Sequence, residues 1–118
     1  MKFKNQVLDL TIESINRAVL SNVIIYDVSS VTPFFDYSVV CTASSSRQGM
    51  SAVGYLRDEA EKHGILVKGY SMSNDSKWFF VDLNSVIVHI FVGEDRERYL
   101  INASNIRFAG GKREAEAV

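Results

Sequence analysis

Residues 32–48 read TPFFDYSVVCTASSSRQ, and residues 78–91 read WFFVDLNSVIVHIF. Both stretches are rich in β-branched and aromatic residues, broken by turn formers at defined points, so each is read as strand-forming sequence. In the first, Pro33 fixes its own φ and biases Thr32 toward an extended shape, and a strand follows from Tyr37 to Thr42. That strand is mostly apolar, which predicts a central position buried on both faces. In the second, strands over 78–83 and 86–92 flank Asn84-Ser85, a spacing that suits a tight hairpin.

Outward from these two stretches the chain alternates. Leu8, Ile12, Ile15 and Val19 recur at helical spacing, with Leu10 and Leu20 widening the stripe. This predicts an amphipathic helix over 5–21, capped by Asn5, with Asp9 complementing its positive end. The segment 23–28 (VIIYDV) is short and β-branched and reads as a strand. Ser44-Ser-Ser46 opens a second helix that runs to His63, with Val53, Leu56 and Ala60 inward, Ala52 and Tyr55 beside them, and Gly64 at the left-handed stop. A further strand is expected over 65–70, a turn at 73–76, and a short closing helix over 94–100. The last residues, 110–118, are small and polar and are expected to fray.

The order helix, two strands, helix, three strands, short helix predicts an α/β (α+β) domain. Its mixed sheet has about five strands flanked by helices. The strand-helix-strand step around the second helix favours a parallel pair, and the Asn84 hairpin an antiparallel one. With 118 residues, one domain over 1–109 with a flexible tail over 110–118 is expected. A chain of this length buries a core without disulfides or metal.

Composition narrows the function classes. Thirteen basic against fourteen acidic residues leave a formal net charge of −1, so bulk electrostatics give no push toward nucleic acid. One cysteine, Cys41, excludes an internal disulfide and fits a reducing compartment. No apolar run approaches the roughly 20 residues of a membrane helix. The first residues lack the pattern of a secretory or transit segment, and the expected location is the bacterial cytoplasm.

Several residue groups carry possible chemistry. Ser44-Ser-Ser46 lies at a strand-to-helix junction but matches neither a P-loop nor a nucleophile elbow, so it reads as a serine cap, with Arg47 and Gln48 as a possible contact surface beside it. Asp36 and Asp82 interrupt strand sequence. Paired carboxylates hold Mg²⁺ in nucleotidyl transfer, but no D-x-D motif stands nearby, so the two acids are read as partners for a basic surface. His89 shares a strand face with Ile87 and Phe91 and is read as a hydrogen-bonded core histidine. Two isolated histidines and Cys41 do not make a metal site. In residues 78–80 (WFF), Trp78 and Phe80 point to one face of the strand and Phe79 to the other. Aromatic anchors edged by Asp82 have the composition of an interface hot spot.

These blocks resemble the ribosomal silencing factor family, also called Iojap or RsfS, from the first helix to about Tyr99. The central signature is carried by Asp36-Tyr37, Val39-Val40, Thr42, Ser44, Arg47 and Gln48. The second is carried by Trp78, Asp82, Val86, Val88, His89, Ile90 and Phe91, and the ending by Arg96, Tyr99 and Leu100. The chain departs from the pattern at Ala43 and at Asn84-Ser85, where glycine and glycine-aspartate are usual. It departs again around 106–108, where a Leu-Trp pair is usual.

The resemblance implies a nucleotidyltransferase-like fold without catalysis and without a cofactor. It implies binding to the large ribosomal subunit through its L-fourteen protein, which blocks joining of the small subunit and lowers translation when nutrients are scarce. Trp78 and Phe80 are the expected apolar anchors, Asp82 and Asp36 the acidic ones, and Tyr37 and Tyr99 accessory contacts. The alternative readings are a Mg²⁺-dependent nucleotidyltransferase and a self-associating scaffold that dimerises through the aromatic sheet face.

Overall fold

The computed structural model describes residues 5–71, 77–93 and 112–114. Helix α1 spans Gln6–Arg17, strand β1 Ser21–Asp27, β2 Tyr37–Ala43, helix α2 Ser46–Lys62, β3 Gly69–Tyr70, β4 Trp78–Asp82, β5 Val86–Val92 and β6 Lys112–Glu114. The strands form one mixed sheet in the order β3-β4-β5-β2-β1-β6. β2 runs parallel to β5 and antiparallel to β1, and β4 pairs antiparallel with both β5 and β3. Among the described residues no helix is long and apolar enough to cross a membrane.

Local chemistry accounts for the helix ends. Asn5 caps α1 as expected, its Oδ1 accepting from the Val7 and Leu8 amides at 2.8 and 3.1 Å. Ser45 caps α2, accepting from the Gln48 amide at 3.1 Å. Gly64 follows α2 at φ +68°, a conformation that glycine adopts without steric cost. Gln48 ties the two helices together. Its amide nitrogen donates to the carbonyls of Ala18 and Val19 at 3.1 and 2.9 Å, while its oxygen accepts from the Ser44 amide and hydroxyl.

Both helices cover one face of the sheet. Leu8, Ile12 and Ile15 of α1 and Ala52, Val53, Leu56 and Ala60 of α2 pack against Ile25, Val39, Cys41, Phe79, Val81, Val88 and Ile90. Phe79 is fully buried beneath α2, where Gly49 leaves room for its ring: a Cβ at Gly49 would come within 2.6 Å of two Phe79 ring carbons. The opposite face carries a second, smaller cluster of Tyr26, Val28, Val40 and Phe91, with Ile24 and Phe35 packed against it.

Several expectations are corrected. Val19 does not extend the α1 stripe. The helix stops at Arg17, Val19 turns to φ 59° and stands 76% exposed, and Leu20 enters the core instead. The strand expected over 65–70 is paired only at Gly69–Tyr70. Gly69 sits opposite Asp82, so an antiparallel continuation would carry residues 65–67 past the end of β4 into its turn, where no strand awaits them. The parallel neighbour of β2 is β5, and β3, the strand next after α2, lies at the far edge of the sheet. Of the segment 110–118 only Lys112–Glu114 are described, and they pair with Tyr26, Ile25 and Ile24 along the outer edge of β1; the rest of that expectation lies outside the described residues. An edge strand presents unpaired N–H and C=O groups, and backbone pairing there makes no demand on the added side chains. The turn expected at 73–76 and the closing helix over 94–100 lie outside the described residues.

Candidate functional site

The β4–β5 hairpin sets the site. Asn84 adopts φ 73°, a left-handed conformation that asparagine tolerates better than other side-chain-bearing residues. It thereby occupies the place where the family resemblance has glycine. The Asp82 carboxylate accepts from the Asn84 amide at 2.9 Å, and the Leu83 amide donates to the Val86 carbonyl at 2.9 Å. This turn fixes the register: Trp78 lies opposite Phe91, Phe80 opposite His89 and Asp82 opposite Ile87. Directly opposed residues of an antiparallel pair share a face, so these six side chains stand on the face away from α1 and α2.

Rings dominate that face. Trp78 contacts Phe80, His89 and Phe91, with ring centres 6.0, 5.9 and 6.2 Å apart. Its indole lies within 12° of parallel to the His89 imidazole, and the indole N–H donates to His89 Nδ1 at 3.3 Å. An indole nitrogen only donates, so Nδ1 accepts and the imidazole proton sits on Nε2. Desolvation by burial pushes the His89 pKa down to about 4, which keeps the ring neutral near neutral pH and preserves the acceptor.

Exposure divides the face. Tyr26, Val40 and Phe91 are buried, whereas Phe80, Asp82, Ile87 and His89 are partly accessible and Trp78 is 45% exposed. The accessible strip therefore follows β4. Among the described residues no strand pairs with the outer edge of β4, the edge away from β5, beyond Phe80 in the direction of Trp78, since β3 reaches only Val81 and Asp82 and Ser71 meets Phe80. One end of the strip is aromatic and the other carries a carboxylate, about 13 Å apart over four strand steps.

The other expected site residues fall as follows. Asp36 is exposed and precedes β2 at the Asp82 end of the sheet, its amide donating to the Ser85 carbonyl at 2.8 Å. Tyr37 belongs to the helix-covered face, where it packs partly buried against the main core beside Val86. Tyr99, with Arg96 and Arg98, lies outside the described residues. Ser45 acts as the cap the sequence suggested, and Gln48 binds backbone of α1 rather than standing free for a partner. Arg47 is exposed. Phe34, 81% exposed in the β1–β2 connection near Asp36, is an accessible aromatic that the sequence reading did not single out. His89 was read as a core residue, and its bond to Trp78 is new. Counting outward from Asn84-Ser85 would have brought the two rings to adjacent positions on one face.

Among the described residues, no cluster of three or more His, Cys, Asp or Glu side chains is arranged to hold a metal ion. A cavity of about 320 Å³ lies beside α2, lined by Arg57, Asp58, Glu61, Ile65, Leu66, Val67 and Tyr70, away from the ring-bearing face.

Comparison with known proteins gives a consistent match. Residues 4–103 fit the family described as ribosomal silencing factor during starvation. A protein of Bacillus subtilis named ribosomal silencing factor RsfS is 28% identical over 78 residues, 66% of each chain. One of the same name from Haemophilus influenzae is 29% identical over 93 residues, which are 79% of this chain and 91% of the relative. A crystal structure from Chromobacterium violaceum superposes with a TM-score of 0.78 at 26% identity, covering all of this chain and 94% of the other. One from Bacillus halodurans gives 0.78 at 22% identity, covering 94% of this chain and all of the other, and it supports the fold.

Proposed function

From the premise that this chain belongs to the ribosomal silencing factor family, we propose that it docks on the large ribosomal subunit through the L-fourteen protein and obstructs joining of the small subunit. Translation then falls when nutrients are limiting, without catalysis, and the protein acts in the cytoplasm. The observation that carries this reading is the β4 strip: Trp78, 45% exposed at one end, and Asp82 at the other, on a face that α1 and α2 leave uncovered.

The chemistry suits a ribosomal protein surface. Partly desolvated aromatics give the apolar centre of an interface, and a carboxylate at its rim meets lysine or arginine. Asp36, exposed at the same end of the sheet as Asp82, adds negative charge there. A net charge of −1 disfavours bare RNA as the principal partner. In this proposal Trp78 and Phe80 are the apolar anchors and Asp82 and Asp36 the acidic ones. Tyr37 supports the site from the opposite face of β2, and Tyr99 is an accessory contact. Self-association through the same strip would compete with docking.

The test is co-sedimentation with isolated large and small subunits, alongside a subunit-joining assay. Binding to the large subunit alone, with fewer joined ribosomes, is the expected result. Binding to neither subunit rejects the proposal. Calorimetry with ATP and Mg²⁺ checks the absence of catalysis, and a saturable heat abolished by Asp36→Asn or Asp82→Asn would favour a nucleotidyltransferase instead.

A further inference from the structure

The Trp78–His89 pair does more than fill space. Trp78 begins β4, where β5 flanks it on one side and no described strand on the other, and nearly half of its surface meets solvent. A side chain so placed ordinarily samples several rotamers, and fixing one on binding costs affinity. Here three rings border the indole, yet only one of them supplies a directional contact. Phe80 and Phe91 offer carbon surfaces, whereas His89 Nδ1 accepts the indole N–H at 3.3 Å with the two rings 12° from parallel. The N–H vector lies in the plane of the indole, so this bond selects both the rotamer and the tilt of the ring. The His89 ring is itself braced by Phe91, with centres 6.3 Å apart.

We propose that His89 is a positioning residue for docking: it holds Trp78 in one orientation and occupies the indole's only polar atom, so that the partner meets carbon surface. This deepens the docking proposal above and rests on it. It specifies the chemistry of the contact on the other side. The partner supplies an aliphatic or cationic side chain against the accessible indole carbons and no acceptor for the N–H. A free indole N–H would have to find an acceptor in the interface or be buried without one, and either would weaken or redirect binding.

The chain contains one tryptophan, so its indole N–H gives a single, unambiguous NMR signal. The experiment compares the parent protein with His89→Phe, which keeps an aromatic ring and removes the acceptor. It also includes His89→Asn, whose side-chain oxygen returns an acceptor near the former Nδ1. If phenylalanine is not accommodated, His89→Leu removes the acceptor at smaller volume. In the acceptor-less variant the indole N–H signal moves and its hydrogen exchange quickens about tenfold, the size of one neutral hydrogen bond. Affinity for isolated large subunits falls several-fold, and asparagine restores part of both. A merely structural histidine would not produce rescue of the N–H signal together with affinity. An unchanged indole signal and exchange rate in the acceptor-less variant overturns the proposal. So does a released N–H with undiminished affinity. A parent protein that shows the protected N–H but binds no subunit overturns instead the docking reading on which the positioning role depends.

Discussion

The two faces of this sheet are built from the same strands and solve different problems. On the helix-covered face Phe79, Val81, Val88 and Ile90 are fully buried, and each contributes shape alone. On the other face their strand neighbours Trp78, Phe80, Asp82 and His89 remain partly accessible, and three of the four carry a polar atom. In the docking proposal, alternation along β4 and β5 separates stability from recognition at intervals of a single residue. The lesson is that adjacent positions in one hairpin should fail in different ways when altered.

The sharpest way to break that separation is Phe79→Ala. A fully buried aromatic removed from beneath α2 leaves a cavity and should cost about 3–5 kcal/mol of stability. Denaturant unfolding measures it, and the fraction that remains folded should bind its partner with unchanged affinity. Gly49→Ala approaches the same contact from above, because its added methyl would collide with the Phe79 ring. A loss of affinity in folded Phe79→Ala would show that the two faces are coupled.

Next comes acid. The pKa of His89 is lowered from 6.5 to about 4 by desolvation, so between these values the unfolded chain binds a proton that the folded chain refuses. The contribution of His89 to stability is therefore complete above pH 6.5 and is lost as pH falls toward 4. The check is the difference between the parent and His89→Phe, whose stability should decline less between pH 7 and pH 5. Equal declines would mean that the ring on the face away from the helices is not held in its neutral form.

Trp78→Ala should show the converse of Phe79→Ala. Its ring is 45% exposed, so the fold should survive its removal, while binding to large subunits weakens by about 2 kcal/mol or more if it is a hot spot. Intact folding with unchanged affinity would remove Trp78 from the interface.

How far the sequence disclosed these two faces depended on how local the cause was. The Asn84-Ser85 turn and the alternation from Trp78 to Val81 were enough to place Trp78 and Phe80 on one face and Phe79 on the other. The mostly apolar run of β2 signalled its central position, and Asn5 and Gly64 marked helix ends. What escaped needed information from elsewhere in the chain. Residues 65–67 have strand chemistry but no partner, because β4 ends before it could meet them. Lys112–Glu114 have little strand character and become a strand because the edge of β1 is there to receive them. Gln48 sat in a recognisable block, but that its amide fastens the end of α1 follows only from tertiary packing. The Trp78–His89 bond lay between: its register was countable, whereas its direction depended on a ring rotation that spacing does not encode.

Asp82 tests whether one residue can serve both faces of the argument. Its carboxylate accepts from the Asn84 amide at 2.9 Å and so helps to hold the turn, while its place on the ring-bearing face is the one from which the docking proposal has it meet a basic partner. Asp82→Asn separates the roles, because an amide oxygen can still accept from Asn84 but carries no charge. Stability should then change by no more than about 0.5 kcal/mol, in keeping with a surface substitution that spares its local bond. Affinity should fall by about 1 kcal/mol, within the range of an exposed ion pair, and its dependence on salt should flatten. Asp82→Lys should go further, adding repulsion from a basic partner and removing the turn contact at once. If Asp82→Asn instead lowers stability and leaves both affinity and salt dependence untouched, Asp82 belongs with the architecture of the hairpin. The recognition strip would then reduce to its aromatic end.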